Sequence, residues 1–263
     1  MSVNPAQTIS SITPLFARTE NAAWQPSAFA HGPFEGLQGG GVAALLCACA
    51  ETEANAKGWG RPASVVTSFL RPAPVAPLEV SVRALKEGRR ATFVEAELAA
   101  GGKVIALQRL CFLNAIDAPA CGPSAGDLPQ NLTSLPERLR DRPDKADWMW
   151  SAMEVREERA DRLWFRLRHP ICDAAAGFAS ALVAADWAHG ILPPDGATTR
   201  GDVAIPNTDL VVHFVRPPAG EWIGVEPVSA WHRDGVGAGW ATLYDLDGPF
   251  GHVSMSIAVT PLG

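Results

Sequence analysis

An internal repeat is the feature that most constrains how this chain can fold. The segment SVVTSFLRP at residues 64–72 recurs as DLVVHFVRP at residues 209–217, with matching positions 145 residues apart. Phe69, Arg71 and Pro72 match Phe214, Arg216 and Pro217. Self-similarity at a fixed spacing indicates two copies of one structural unit.

The sequence around the two matches supports this interpretation. An Ala/Leu-rich segment precedes each match, and three strand-like runs with period-2 alternation follow it. In the first half these are 39–55, then 78–85, 91–98 and 103–113; in the second they are 178–189, then 222–230, 238–246 and 252–259. Each half is therefore predicted to contain a strand, a helix and four antiparallel strands, in that order. Residues 42–50 are apolar nearly all round, which predicts a buried first helix.

A Pro-rich segment separates the halves. Residues 117–145 contain five prolines among Gly and Asp residues, which is typical of a surface linker. With 263 residues in total, the sequence predicts two small units, 1–116 and 146–263, joined by this linker.

Composition excludes several classes of function. The chain has 22 Lys and Arg against 28 Asp and Glu, a formal charge of −6, which argues against a nucleic-acid partner. Five cysteines, an odd number, do not describe a disulfide framework. The longest apolar run, Val42–Ala50, is too short to span a membrane, and the N-terminus lacks a secretory pattern. We therefore expect a cytoplasmic protein without a membrane partner.

The sequence predicts neither a serine nucleophile nor a metal-binding or phosphate-binding site. Residues 122–126 read G-x-S-x-G around Ser124, but neither a strand before it nor a helix after it is predicted, so Ser124 is not expected to be a nucleophile. The six histidines show no metal-ligand spacing, and no phosphate-binding loop is present. The sequence thus predicts neither a metal nor a cofactor.

A glycine run opens the first helix. Gln38, Gly39, Gly40 and Gly41 lie at a helix N-terminus, whose free N–H groups suit a developing oxyanion. The alternative is that the glycines only allow close packing against the sheet. The sequence leaves both interpretations open.

A carboxylate opens an apolar strand in the second half only. Asp209 has Ser64 as its repeat partner and precedes an apolar run, so it is either a general base or a solvated strand end. Ser254 and Ser256 alternate with apolar residues on the last strand, and their shared face either lines a site or meets water.

Several of these segments together resemble a known family. Residues 24–50, WQPSAFAHGPFEGLQGGGVAALLCACA, are similar to the first helix region of thioesterase-superfamily proteins with a double hotdog fold. The second half resembles the acyl-CoA thioesterase II branch in four features. They are a His-Pro pair (His169-Pro170), an Asp on the following helix (Asp186), a strand that begins with Asp209 and runs into Arg216-Pro217, and a strand that begins with Val225-Glu226.

The resemblance implies a fold, a partner and a catalytic set. The fold would be α+β, a double hotdog with two antiparallel sheets each wrapped around a central helix, and the chain would form a homo-oligomer, most simply a dimer. The family's set of Asp, Thr and Gln falls on Asp209, on Val228 with Ser229 beside it, and on Ser256. Aligning the last strands of the two halves pairs Gln108 with Ser256.

The predicted function is hydrolysis of an acyl-CoA or similar thioester by water. Asp209 would activate or orient the water, the N–H groups around Gly40 and Gly41 would bind the oxyanion, and Ser256 would complete the site. An apolar tunnel beside the first helix would hold the acyl chain. The candidate substrate-binding residues are Gln38, Gly39, Ser64, Gln108, Ser229 and Ser254.

Three alternatives stay open. A different site would combine Gln108 and Ser64 with the second helix. A non-catalytic protein would bind acyl-CoA or a lipid-like ligand with the same fold. A hotdog dehydratase would need an Asp–His pair, for which Asp173 and His189 are the candidates.

Overall fold

The computed structural model describes residues 12–122, 126–139, 147–173, 177–189 and 203–261. The elements of the first half are β1 (Phe16–Arg18), β2 (Trp24–Pro26), α1 (Gly39–Lys57), β3 (Arg61–Phe69), β4 (Glu79–Lys86), β5 (Ala91–Ala100) and β6 (Lys103–Leu113). Those of the second are β7 (Met153–Arg159), β8 (Arg162–Leu167), α2 (Phe178–Ala185), β9 (Val203–Ala204), β10 (Asp209–Phe214), β11 (Ile223–Trp231), β12 (Val236–Asp245), β13 (Gly248–Ala258) and β14 (Thr260–Pro261). Short 3₁₀ turns cover Ala28–Ala30, Leu132–Ser134 and Asp186–His189.

Ten of the strands form one antiparallel sheet in the order β4-β5-β6-β3-β10-β13-β12-β11-β8-β7. The two predicted sheets are thus joined edge to edge, because β3 of the first half pairs with β10 of the second. Val66 lies opposite Val211 in this pairing. These residues are related by the 145-residue repeat, so a pseudo-twofold axis passes between them.

Each half also begins with a pair of strands, whereas the sequence predicted a single strand ahead of each helix. In the second half β7 and β8 extend the sheet beyond β11. In the first half β1 pairs with β2, and β2 touches the start of β4 through a Trp24–Leu78 bridge. These strands are too short or too uniformly buried to show a period of two.

The first helix is buried as predicted. Apolar residues on every side of α1, including Val42–Cys47, are inaccessible to solvent. The side-chain oxygen of Gln38 accepts a hydrogen bond from the Gly41 N–H and caps the helix start, and Gly58 ends the helix in the left-handed region. One surface of α1 packs on the sheet and another on α2, so the helices of the two halves touch.

The Pro-rich segment has little regular structure where it is described. Residues 114–122 and 126–139 contain one 3₁₀ turn. The Arg138 N–H donates to the Val155 carbonyl at 2.8 Å, and the Glu157 N–H donates to the Pro136 carbonyl at 2.9 Å. The second part of the segment is therefore attached to β7. The division into units at residues 1–116 and 146–263 stays a prediction.

No helix in the described ranges combines the length and the apolar character needed to cross a membrane.

A half-buried carboxyl group lies where α1 meets α2. Burial raises the pKa of Glu51 to about 7, while the Cys47 thiol and the Ala179 backbone amide favour its charged form. The folded chain therefore holds a proton that the unfolded chain releases between pH 4.5 and about 7. Stability consequently falls as the pH rises through this window.

We expect Glu51→Gln to flatten this pH dependence. The neutral amide removes the cost of ionising a buried group, so the variant should gain up to about 3 kcal/mol relative to the native chain at pH 8. Thermal unfolding at pH 5 and pH 8 checks this. Glu53→Gln on the exposed side of α1 is the control. Equal pH dependence in all three proteins would contradict the assignment.

Candidate active site

The most buried carboxylate next to the glycine run is Asp186. It directly follows α2, is 4% exposed, and belongs to the second half of the chain. A Cβ atom placed on Gly39 would lie 3.3 Å from its Oδ1 atom. A carboxylate of one half thus faces the helix start of the other.

Two amide side chains hold this carboxylate. The Gln38 Nε2 group donates to Oδ2 at 2.5 Å, and the Asn207 Nδ2 group donates to Oδ1 at 2.8 Å. Gln38 also accepts the Gly41 N–H at 2.7 Å, so one residue links the helix start to the carboxylate. The position of Asp186 is therefore fixed from both halves.

Burial raises the pKa of Asp186 above the ordinary value of 3.8. The positive charge of His189 and the hydrogen-bond donors Asn207, Gly40 and Gln38 act in the opposite direction. A carboxylate of raised pKa is a stronger base than an exposed one, and such groups are frequent at functional sites.

The glycines permit close contact between the two helices. A Cβ atom on Gly40 would lie 2.6 Å from the Asp186 Cβ atom and 2.8 Å from the Leu182 carbonyl oxygen. A Cβ atom on Gly41 would lie 2.8 Å from the Met149 methyl group. The close-packing interpretation therefore holds: Gly40 and Gly41 approach residues of the second half, and Gly39 also approaches the Phe69 ring of β3.

Aromatic rings pack around Trp187. This residue directly follows Asp186 and is buried. The Trp187 ring meets the Trp150 ring edge-on at 4.9 Å and the Trp148 ring at 6.2 Å. The ring contacts hold the 3₁₀ turn that carries Asp186.

The structure places Asp209 on the opposite face of the sheet. Its strand neighbours Leu210 and Val212 are fully buried, so the alternation points Asp209 away from the helices. Its carboxylate accepts the Ser256 N–H at 2.7 Å and the Ser256 hydroxyl at 3.0 Å. The carboxylate at the start of α1 is Asp186 and not Asp209, and a catalytic role for Asp209 stays a prediction.

One residue connects the two carboxylates. The Asn207 Nδ2 group, besides binding Asp186, donates to the Asp209 backbone carbonyl at 3.0 Å. The backbone bends at Thr208, so the side chains of Asn207 and Asp209 point to opposite faces of the sheet. A change at Asp209 can therefore reach Asp186 through Asn207.

The remaining candidates are dispersed. Ser254 and Ser256 share the outer face with Asp209, and Ser64 faces His213 on that side. Val228 is 49% exposed on β11, with Ser229 beside it. The structure thus brings Gln38 and the glycines to Asp186, and leaves the serines elsewhere.

Gln108 is fully buried beneath α1. Its Nε2 group donates to the Ala43 carbonyl and to the Thr67 hydroxyl, both at 2.9 Å. Thr67 lies opposite Gln108, whereas its repeat partner Val212 lies opposite Val253. The counterpart of Gln108 is therefore Val253, and the alignment of Gln108 with Ser256 is wrong, since it needed a gap that the strands do not contain.

Sequence reasoning missed two residues of the site. Asp186 entered only through the family resemblance and received no role, and Asn207 was not considered. A charged residue within the apolar run ALVAADWA was an available signal, because Asp is almost never fully buried unless it is paired. Asn207 carried no comparable pattern.

Two other predictions concern different parts of the chain. Ser124 lies outside the described residues. Of the pair proposed for a dehydratase, Asp173 is exposed, and the carboxylate influenced by His189 is Asp186 instead. Within the described ranges, no group of three or more His, Cys, Asp or Glu side chains is arranged to hold a metal ion.

A cavity of about 360 Å³ lies beside α2, whereas the acyl tunnel was predicted beside α1. Its walls come from β7, β8, β11 and one face of α2, and they include Phe165, Leu167, Val183 and Ile223. Asp186 does not line it.

Comparison with known proteins gives a consistent result. A family model described as the acyl-CoA thioesterase N-terminal domain matches residues 30–113, and one described as the acyl-CoA thioesterase C-terminal domain matches residues 115–254. No curated protein sequence matches the chain.

Solved structures share the fold at low sequence identity. A hot dog fold protein from Alicyclobacillus acidocaldarius is 15% identical, with 92% of this chain and 93% of that chain covered and a TM-score of 0.73. The acyl-CoA thioesterase II TesB2 from Mycobacterium marinum is 16% identical, with 94% and 95% covered and a TM-score of 0.68. The predicted double hotdog fold is confirmed.

Proposed function

Because the chain belongs to the acyl-CoA thioesterase family, a family of thioester hydrolases, we propose that it hydrolyses an acyl-CoA thioester at a site built on Asp186. The observation that supports this most strongly is a buried carboxylate of raised pKa at the start of a helix from the other half. Asp186 takes the role that the sequence had assigned to Asp209.

The reaction needs no covalent nucleophile. Asp186 accepts a proton from water as the water oxygen adds to the thioester carbonyl carbon. The resulting tetrahedral oxyanion collapses, the carbon–sulfur bond breaks, and the thiolate leaves. The thiolate takes up the proton, and the products are a carboxylic acid and the free thiol of coenzyme A.

The helix start supplies the electrostatic part of this mechanism. The Gly41 N–H is occupied by Gln38, which leaves the first two amides of α1. The Gly39 N–H has no acceptor within hydrogen-bonding distance among the described residues, whereas the Gly40 N–H donates to the Asp186 carboxylate. Together with the positive end of the helix dipole, the Gly39 amide would stabilise the oxyanion, so the oxyanion role predicted for Gly40 and Gly41 passes to Gly39.

Gln38 and Asn207 act as positioning residues. Each donates to one oxygen of Asp186, so the carboxylate cannot rotate away from the helix start. Both donors lower the pKa of Asp186, but burial is the larger influence, so the pKa stays above its ordinary value.

A second candidate function follows from the same geometry. Both Asp186 oxygens already accept hydrogen bonds from protein amides, an arrangement that also suits a site that binds an acyl-CoA or lipid-like ligand without hydrolysing it. The two functions differ in whether thiol is released.

Thiol release from a panel of acyl-CoAs decides between them. We expect the purified chain to release coenzyme A, detected with a thiol reagent, from at least one member of the panel. A thermal shift without thiol release would support the binding function instead. Absorbance change at the enoyl band without thiol release would indicate a dehydratase and contradict both.

We also propose a cytoplasmic location and a homodimer. The five cysteines are free, which suits a reducing compartment. Trp side chains are enriched at protein interfaces, and Trp222, Trp231 and Trp240 are not buried in this chain.

A further inference from the structure

The cavity beside α2, which we call the α2 cavity, is built by the second half of the chain. Every described residue that lines it falls between Met153 and Ile223. The carboxylate of Asp186, in contrast, is held from both halves. The walls are mostly apolar, and the volume of about 360 Å³ lies in the range of sites that hold a small molecule. The α2 cavity is therefore separate from the proposed hydrolytic site.

The first half holds an aromatic ring at the corresponding place. Gly41 is the third residue of α1, and Ser180 is the third residue of α2. A Cβ atom placed on Gly41 would lie 3.8 Å from the ring of Phe16, which belongs to β1 and is fully buried. Ser180 instead lines the α2 cavity. The space that Phe16 fills in one half is thus left open in the other.

The charged groups at the α2 cavity already have protein partners. Arg168 donates to the Glu137 carboxylate at 2.7 Å. Glu221 pairs with Arg166 at 3.8 Å. The Nδ1 atom of His169 donates to a backbone carbonyl at 2.8 Å. This arrangement does not favour a charged ligand, because a charge that is buried without a free counter-charge loses its hydration at a high cost.

Ser180 supplies the polar group that a ligand can use. Its side chain is half-buried at the α2 cavity, and its hydroxyl forms no hydrogen bond with any described residue. A hydroxyl both donates and accepts hydrogen bonds, so it matches an alcohol, an ester or an amide. Apolar walls with a small number of polar groups are the usual composition of a small-molecule site.

We propose that the α2 cavity is a second binding site, which takes an uncharged and mostly apolar molecule with one hydrogen-bonding group. Removing the apolar part from water supplies most of the binding free energy, and the hydroxyl of Ser180 fixes the orientation. Medium-chain alcohols are the simplest members of this ligand class. The inference is independent of the proposed hydrolysis, since Asp186 is not among the described residues that line the cavity.

Three ligands with the same alkyl chain test the ligand class: 1-octanol, octanoate and octylammonium. We expect 1-octanol to raise the melting temperature by about 3–6 °C at ten times its Kd. In calorimetric titrations the two charged ligands should bind at least about tenfold more weakly. Equal affinity for octanoate or octylammonium would overturn the ligand class. Absence of binding by all three would overturn the site.

Two substitutions at Ser180 locate the site. Ser180→Ala removes only the hydroxyl and should weaken 1-octanol binding by about fivefold, the contribution of one hydrogen bond. Ser180→Leu fills the α2 cavity and should abolish binding without lowering the melting temperature. Thr52→Ala, which removes a hydroxyl from α1, is the control and should bind as the native chain does. Native affinity in Ser180→Ala would refute the role of the hydroxyl, and native affinity in Ser180→Leu would place the ligand elsewhere.

A competition experiment tests whether the α2 cavity is separate from the substrate site. S-octyl coenzyme A is a thioether and cannot be hydrolysed. It should leave the affinity for 1-octanol unchanged, because Asp186 does not line the α2 cavity. Displacement of 1-octanol by S-octyl coenzyme A would assign the cavity to the substrate and overturn the proposal of a second site.

Discussion

Replacing Asp186 by asparagine is expected to lower kcat by about 10²–10⁴, the usual contribution of a general base. The amide is isosteric and cannot accept the proton of the attacking water. Its N–H2 group must face Gln38 or Asn207, which both donate to Asp186 in the native chain, so the melting temperature should also fall by a few degrees. Steady-state hydrolysis of the best acyl-CoA, together with thermal unfolding, checks both parts.

Asp209→Asn is the matched control. Asp209 lies on the outer face and contacts Asp186 only through Asn207, so its replacement should lower kcat by less than about tenfold. The sequence-based hypothesis makes the opposite prediction. A large loss with Asp209→Asn and a small one with Asp186→Asn would restore Asp209 as the base.

Gly40→Ala is expected to damage both stability and activity. The added Cβ atom would lie 2.6 Å from the Asp186 Cβ atom and 2.8 Å from a backbone oxygen of Leu182, so the two helices must separate. Overpacking of this kind costs about 1–3 kcal/mol. At about 2–4 °C per kcal/mol for a chain of this size, the melting temperature should fall by several degrees.

Activity should fall further than the folded fraction does, because separating the helices moves Asp186 away from the amides of α1. Gly122→Ala is the control, since a Cβ atom there meets nothing within 4 Å. If Gly40→Ala matched this control in melting temperature, the close helix contact would be refuted.

The repeat was sufficient to predict two halves of the same fold. Its 145-residue spacing reappears in the structure as the pairing of Val66 with Val211. Hydrophobic alternation located the main strands to within a few residues, because each has one buried face. The joined sheet was not predicted, since edge pairing between distant strands leaves no local pattern.

The site was predicted in part. The glycines and Gln38 lie at the helix start, as the sequence predicted, because helix termini have local sequence signals. The buried carboxylate of Asp186 faces this helix start. The choice between Asp186 and Asp209 depended on long-range packing of α1 on α2. It also depended on the bend at Thr208, which points Asn207 and Asp209 to opposite faces. A regular strand would have placed both on one face.

The pH dependence of kcat/KM tests the role of Asp186 most directly. The native enzyme and Asp209→Asn should lose activity as the pH falls, with the midpoint above the ordinary aspartate pKa of 3.8, because the base must be ionised. Asp186→Asn should retain only a low rate without this acid limb. An acid limb that persists in Asp186→Asn and disappears in Asp209→Asn would contradict the assignment of Asp186 as the base.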